Sequence, residues 1–411
     1  MSEQRIVVGL DLGSHRVTAL VAELSGRGGL RVLGLGTVPS QGIRKGVVVG
    51  FEPAVEAVRE AVGEAERASG LVIRAAFPNV SGEHFRAIPS EGVHAKEGRE
   101  REITPEDVEQ VIRVARSLQL PPGYRILHTL PVDFILDGRG GIKDPVGMDG
   151  VRLQAEVLLF MGEGSVLENT AKVVEKAGLA VEGLVFSPLA TAMAALTESE
   201  REEGVVLIDI GSGTTEVLVV ADGAARHAEV LPLGGGNVTR DLSIGLGLSL
   251  ADAERLKLDH ASVGPLSAAD AEAQLTVRQV GADADSALSA RTLHSIVEPR
   301  ARELLELAWD RAQRSPAARS AGCGVVLCGG GALLPGLAGL AAQLYERSVR
   351  LGAPLEQQGL IAELADPRYT PVVGLLRYGY ERLVGDEAGE APPRGGLRRL
   401  FRAMGAGRRG K

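Results

Sequence analysis

The sequence predicts an α/β chain of two related halves, each contributing one hairpin, and three observations carry this. Ile6-Val-Val-Gly-Leu10, the turn Asp11-Leu-Gly-Ser14 and Val17–Val21 read as an apolar strand, a small-residue turn and a second apolar strand. Val205–Val220 repeats that order around Asp209-Ile-Gly-Ser-Gly213. A third glycine loop, Gly329-Gly-Gly331, follows the strand-like run Gly324–Leu327 and leads into a predicted helix.

At 411 residues the chain exceeds one compact core and implies two or more domains. Hydrophobic residues at 45% exclude global disorder, and with only 3% aromatics the core must be Ala, Val, Leu and Ile. The net charge of −8 argues against a general nucleic-acid binder, which needs a basic face. The polar start Met1–Arg5 leads straight into a strand without a signal peptide, and no apolar run is long enough to span a membrane, so a cytoplasmic protein is expected. Cys323 and Cys328 read as reduced, buried thiols near the start of a strand, too few for a disulfide framework or a zinc site.

After the first hairpin a strand is expected at Leu30–Leu35. A helix follows over Pro53–Ser69, with Val55, Val58 and Val62 on one stripe. From Ser81 to Met161 the texture is that of a small α+β insert. Thr104-Pro-Glu-Asp107 caps a helix running to about Leu118, stopped by Pro121-Pro122-Gly123, and strands follow at Tyr124–Leu130 and Val151–Phe160. A further helix covers Ser165–Ala177. Gly385–Gly396, with Asp, Glu, Pro and Gly and almost nothing apolar, reads as a linker.

The chemistry sits in the turns. A tight turn of Gly and Ser aims successive backbone N–H groups at phosphate oxygens, and a bulky side chain would block the approach. Gly13, Ser14, His15 and Arg16 in the first turn, and Gly211, Ser212, Gly213, Thr214 and Thr215 in the second, are the candidate phosphate binders. An Asp at each strand end, Asp11 and Asp209, suits Mg²⁺, directly or through water. No side chain stands out as a general base, so no catalytic residue is assigned.

The three loops resemble the phosphate-1, phosphate-2 and adenosine motifs of the actin, Hsp70 and sugar-kinase superfamily, with Ser187-Pro-Leu-Ala-Thr-Ala192 as the first connecting helix. The resemblance implies an actin-like (ribonuclease H-like) fold of duplicated domains with ATP and Mg²⁺ in the cleft. More closely, and over nearly the whole chain, the sequence resembles the bacterial cell-division family FtsA. Gly141-Ile-Lys-Asp-Pro-Val-Gly147 and Gly150-Val-Arg-Leu-Gln-Ala-Glu156 look like its 1C subdomain insert. Ala225-Arg-His227, Gly236-Asn-Val-Thr239, Ala253-Glu-Arg-Leu-Lys257, Ile296-Val-Glu-Pro299, Gly352-Ala-Pro354 and Val373-Gly-Leu-Leu376 are similar to other segments of that family.

By that resemblance the chain divides into subdomain 1A (1–81 and 162–200), an SHS2-like 1C insert (82–161), 2A (201–235 and 300–384), 2B (236–299), a linker (385–394) and a membrane-targeting tail (395–411). Gly235, Gly236, Glu254, Lys257, Gly329, Gly330, Gly331 and Ala332 fall on the adenosine side. Two positions depart from the family: Arg16 stands where Lys is more frequent, and Cys328 where Thr is common. The implied role is to tether FtsZ filaments to the cytoplasmic membrane at the division septum. It includes capture of the FtsZ C-terminal peptide by 2B, self-association into actin-like filaments and contacts to other division proteins through 1C, and any ATP cleavage is slow and serves assembly.

The tail is a separate signal. From Arg394 to Lys411 every charged residue is basic. Leu397, Leu400, Phe401 and Met404 fall at i, i+3, i+4 and i+7, with Arg398, Arg399 and Arg402 around them, the pattern of a helix lying in an anionic lipid interface. The tail distinguishes this reading from a PilM-like pilus-assembly protein, which lacks such an anchor, and from a metabolic kinase of the same superfamily, which needs none.

Overall fold

The computed structural model describes residues 5–24, 29–96, 101–355 and 362–388. The two expected hairpins form where predicted. In the first half, strands Ile6–Leu12, Arg16–Leu24 and Leu30–Pro39 make an antiparallel meander. Ala75–Val80 and then Ala180–Val181 add in parallel beyond Ile6–Leu12. In the second half the meander is Val205–Ile210, Thr215–Ala221 and Ala224–Leu231, extended in parallel by Val325–Cys328 and Val349–Leu351. Five strands of each sheet match in order, so the duplication inferred from two turns extends through the sheets; Val185–Phe186, which also pairs with Ala75–Val80, is an addition to the first.

Helix Phe51–Ser69 covers the first sheet with the predicted stripe, burying Val55, Val58 and Val62 together with four alanines. Small residues let it sit close: a methyl on Gly36 would meet the Ala61 carbonyl oxygen at 2.0 Å. Each sheet has its own apolar core, and a third cluster joins the halves through Leu20, Phe77, Leu207, Leu218 and Val326.

That joint is built around helix Ser187–Ala195, every residue of which is buried. Its C-terminal carbonyls are taken by two arginines. Arg377 donates to Met193 O at 2.6 Å, and Arg350 donates to Ala195 O at 2.7 Å while pairing with Glu200. Burial lowers the Arg377 guanidinium to about 10, and its three carbonyl acceptors keep it in place.

The insert is an α+β layer whose sheet contributes Leu130, Leu158 and Phe160 to the cluster joining the halves. Its sheet runs Arg86–Ala95, Arg152–Glu163, Tyr124–Leu136 and Arg139–Ile142, with helix Pro105–Ala115 packed on it around Ile103, Val111, Leu153 and Leu159. The capping box at Thr104 and Asp107 is present, but the helix stops at Ala115, a turn short of Leu118. Between the second hairpin and the long helix Ala290–Gln313 lie helices Gly235–Leu246 and Leu250–His260 and a small hairpin, Gln274–Val277 with Ser286–Ser289.

Three expectations need correction. Helix Thr370–Ala388 lies in the span grouped with 2A, yet it packs on the first half: a methyl on Gly9 would strike Val372 O at 2.8 Å, and one on Gly379 would strike Val7 and Phe77. The same helix carries residues 385–388, which the composition places in a linker; Glu387 and Ala388 are good helix formers by intrinsic propensity. Of the cysteines, Cys328 is buried, at the end of its strand rather than the start, whereas Cys323 precedes the strand and is only half-buried. The tail residues Leu397 to Met404, with the remainder of the linker, lie outside the described residues.

Candidate nucleotide site

The two turns meet face to face. A methyl on Gly213 would lie 2.7 Å from Ser14 Oγ and 2.9 Å from the Lys45 amide nitrogen, so only glycine fits where the second half closes on the first. The third loop joins them: Gly329, at φ 80°, would press a side chain on Asp209 Oδ1 at 2.3 Å, and Gly331 abuts Ile210. Gly235 N donates to Gly211 O and Gly236 N to Ser212 O, both at 2.9 Å, so the start of helix Gly235–Leu246 is held on the second turn. Gly330 lies beside the Arg368 side chain.

Asp11 and Asp209 are the cleft's buried carboxylates, one from each half. Asn79 Nδ2 donates to Asp11 Oδ1 at 2.6 Å, and its own Oδ1 accepts from Leu12 N at 2.7 Å. Thr191, on the connecting helix, donates to Asp209 Oδ2 at 2.7 Å. Burial raises both above the usual carboxylate range; Arg16 and Asn79 pull Asp11 back, whereas Thr191 pulls Asp209 back and Asp11 repels it further. A third carboxyl is the cross-strand partner of Asp209, Glu216. It accepts from Ser81 of the first half, and burial followed by repulsion from Asp209 pushes it well up.

The other predicted residues divide. Lys257 Nζ reaches Glu254 at 2.7 Å, Thr239 Oγ1 at 3.0 Å and Gly235 O at 3.3 Å, and Thr239 also donates to Glu254. The i,i+3 spacing therefore does close an ion pair, one shared with the glycine turn, rather than a plain solvated face. His15 is exposed and close enough to Glu254 to favour its charged form.

Arg16 turns aside. Its guanidinium lies 4.5 Å from the centre of the Tyr369 ring and donates to Arg368 O at 2.7 Å. The Thr215 hydroxyl is committed to Leu233 O at 2.9 Å, and the Ala332 side chain is buried in the second half's core. Gly13, Ser14, Gly211, Ser212 and Thr214 stay at the turns, with Gly211 N closing its hairpin onto Thr214 O.

As site residues, Asn79, Ser81, Thr191 and Glu216 are missing from the sequence prediction, which reads Thr191 only as part of the connecting helix. Glu216 alone leaves a signal, an acid inside the apolar run that follows Thr215. The others depend on partners far along the chain.

A family model described as "Cell division protein FtsA" matches residues 206–374, and one described as "SHS2 domain inserted in FTSA" matches 82–161. The chain is 38% identical over 378 residues to a cell division protein FtsA of Pseudomonas aeruginosa, covering 92% of this chain and 90% of that one. Against the Escherichia coli K12 protein it is 36% identical, covering 94% and 93%.

Among solved structures it resembles a PilM–PilN type IV pilus biogenesis complex at TM-score 0.63 and 18% identity, covering 91% of this chain and 98% of the other. It also resembles MreB5 of Spiroplasma citri bound to AMPPNP at TM-score 0.56 and 14% identity, covering 94% and 100%. Two duplicated sheets in matching order, an inserted α+β layer and this identity along nearly the whole length place the chain in the FtsA family of cell-division proteins, on an actin-like fold.

Proposed function

We propose that this chain binds ATP with Mg²⁺ in the cleft between its halves and tethers FtsZ filaments to the cytoplasmic face of the membrane at the division septum. The observation that carries the nucleotide reading is the meeting of three glycine loops beside two buried, mutually repelling aspartates, neither of which has an ion-pair partner among the described residues. Each aspartate commits one oxygen to a protein donor and keeps another for a cation. Among the described residues no three His, Cys, Asp or Glu side chains form a metal cage, which suits an ion held largely through water and phosphate oxygens. Such an ion supplies charge neutralisation to the phosphates. The chain's own part is to present backbone N–H groups from Gly13–Ser14 and Ser212–Gly213 and to hold the carboxylates in place.

The related solved structures support the wider reading: MreB5 is described with ADP and AMPPNP, and MamK as a double helical filament. Residues 236–299 are the proposed dock for the FtsZ C-terminal peptide, and the 82–161 insert the contact for other division proteins. Among the described residues no helix is long and apolar enough to cross a membrane, and in this proposal attachment falls to the stripe Leu397, Leu400, Phe401 and Met404 with its arginines. At about 1 kcal/mol per surface cation, binding is reversible and salt-sensitive.

Sedimentation with anionic phospholipid vesicles tests this. The full chain is expected to pellet, less so at high salt, and to carry FtsZ with it, whereas a chain ending at Ala388 stays in the supernatant. Equal sedimentation of the two forms would remove the tail from the account.

A further inference from the structure

Between the first sheet's meander and helix Phe51–Ser69 lies a miniature hairpin. Ile43 pairs with Val48 and Arg44 with Val47, leaving Lys45-Gly46 as a two-residue turn. Both turn residues have positive φ, 49° at Lys45 and 75° at Gly46. Two-residue hairpin turns of this sort favour Asn-Gly, Asp-Gly or Gly-Gly, because both positions are left-handed. Lysine at the first place is locally disfavoured, and such conflicts concentrate where function overrides folding preference.

The position of the turn says what that function is. Gly46 N donates to Ser14 Oγ at 3.1 Å, fixing the turn to the first glycine bend. The Lys45 amide nitrogen lies at the point where Gly213 of the second bend closes in, and a methyl on Gly46 would meet Ser81, whose hydroxyl holds Glu216. The hairpin tip is thus wedged among both bends and the carboxylate cluster. Arg16, the cation in the bend itself, is engaged by the Tyr369 ring and Arg368 O. Lys45 is exposed, and its ammonium has no hydrogen-bond or ion-pair partner among the described residues.

We propose that Lys45 is the cation that binds the terminal phosphate of a nucleoside triphosphate in this cleft and so distinguishes triphosphate from diphosphate. This rests on the nucleotide reading above. A compact ammonium on a flexible stem suits the task, reaching a phosphate that arrives and departs with the nucleotide state.

Equilibrium dialysis with labelled ATP and ADP in Mg²⁺ tests it on the wild type, Lys45→Asn, Lys45→Gly, Lys45→Arg and, as a neighbouring control, Arg44→Ala. Asn and Gly both suit a left-handed turn, so these variants keep the hairpin and should unfold at the same temperature as wild type or higher. The expected result is a loss of ATP affinity of roughly tenfold or more in both, the scale of a charge-assisted contact, with ADP affinity nearly unchanged. Lys45→Arg retains most of the ATP affinity and Arg44→Ala all of it.

Unchanged ATP affinity, equal losses for ATP and ADP, or a lowered unfolding temperature in Lys45→Asn would each overturn the assignment while leaving the nucleotide reading intact. Failure of the wild type to bind either nucleotide would overturn both.

Discussion

Asn79 and Cys328 show how the duplication diverges one side chain at a time. Asn79 follows Pro78, the parallel neighbour of Leu10, and bonds Asp11; Cys328 is the parallel neighbour of Asp209 and gives it no hydrogen bond, so Asp209 takes one from Thr191 instead. Opposite Asp11 the hairpin carries Thr18, and opposite Asp209 it carries Glu216, so the second half brings the extra carboxyl. These partners were illegible because they are non-local: Asn79 and Asp11 are 68 positions apart, and Ser81 and Glu216 are 135 apart. The turn glycines and both aspartates were legible because a bend's requirements are written in adjacent residues.

His128 offers a test at this scale. It is buried, and its Nε2 accepts from Phe186 N at 3.0 Å; burial, with the Arg382 charge adding to it, lowers its pKa to about 3. The unfolded chain protonates this imidazole near its ordinary value of about 6.5, before the folded chain does, so the stabilisation it gives is complete above that pH and is lost as pH falls toward 3. The full loss is on the order of 5 kcal/mol. Denaturant unfolding as a function of pH should show a shallower acid decline in His128→Gln, which keeps an acceptor for Phe186. Identical slopes would show that His128 is not the acid-sensitive group.

At the scale of elements, periodicity and capping foretold most of what forms. The stripe of Phe51–Ser69 and the Thr104 capping box are local properties and appear as expected. The destination of helix Thr370–Ala388 was not local. Its apolar face looks the same whichever half receives it, and the deciding feature is close approach: a methyl on Gly374 would lie 1.8 Å from Ala190 O of the connecting helix. Gly374→Ala must push two buried helices apart, and we expect a loss of about 3 kcal/mol in denaturant unfolding, at the upper end of what overpacking costs. A loss below about 1 kcal/mol, within the range of tolerated core changes, would mean that the crossing is looser than described.

For the whole molecule, matching strand orders in the two halves, one connecting helix buried between them and a last helix returning to the first half make the cleft the place where relative motion of the halves is felt. Under the proposed function, a nucleotide gripping both bends would favour the closed arrangement by its differential affinity. The proposed membrane tail, read only from sequence, would act as a tether independent of that closure.

The central claim is that the two bends grip one triphosphate between them. Equilibrium dialysis of the wild type and Gly213→Val with labelled ATP and Mg²⁺ tests it most directly, because valine at that point collides with Ser14 and Lys45 while each half keeps its own core. The account predicts one ATP bound per wild-type chain and binding weakened by roughly tenfold or more in Gly213→Val, with both proteins folded. Equal ATP affinity in the two, or a wild type that binds no ATP, would contradict it.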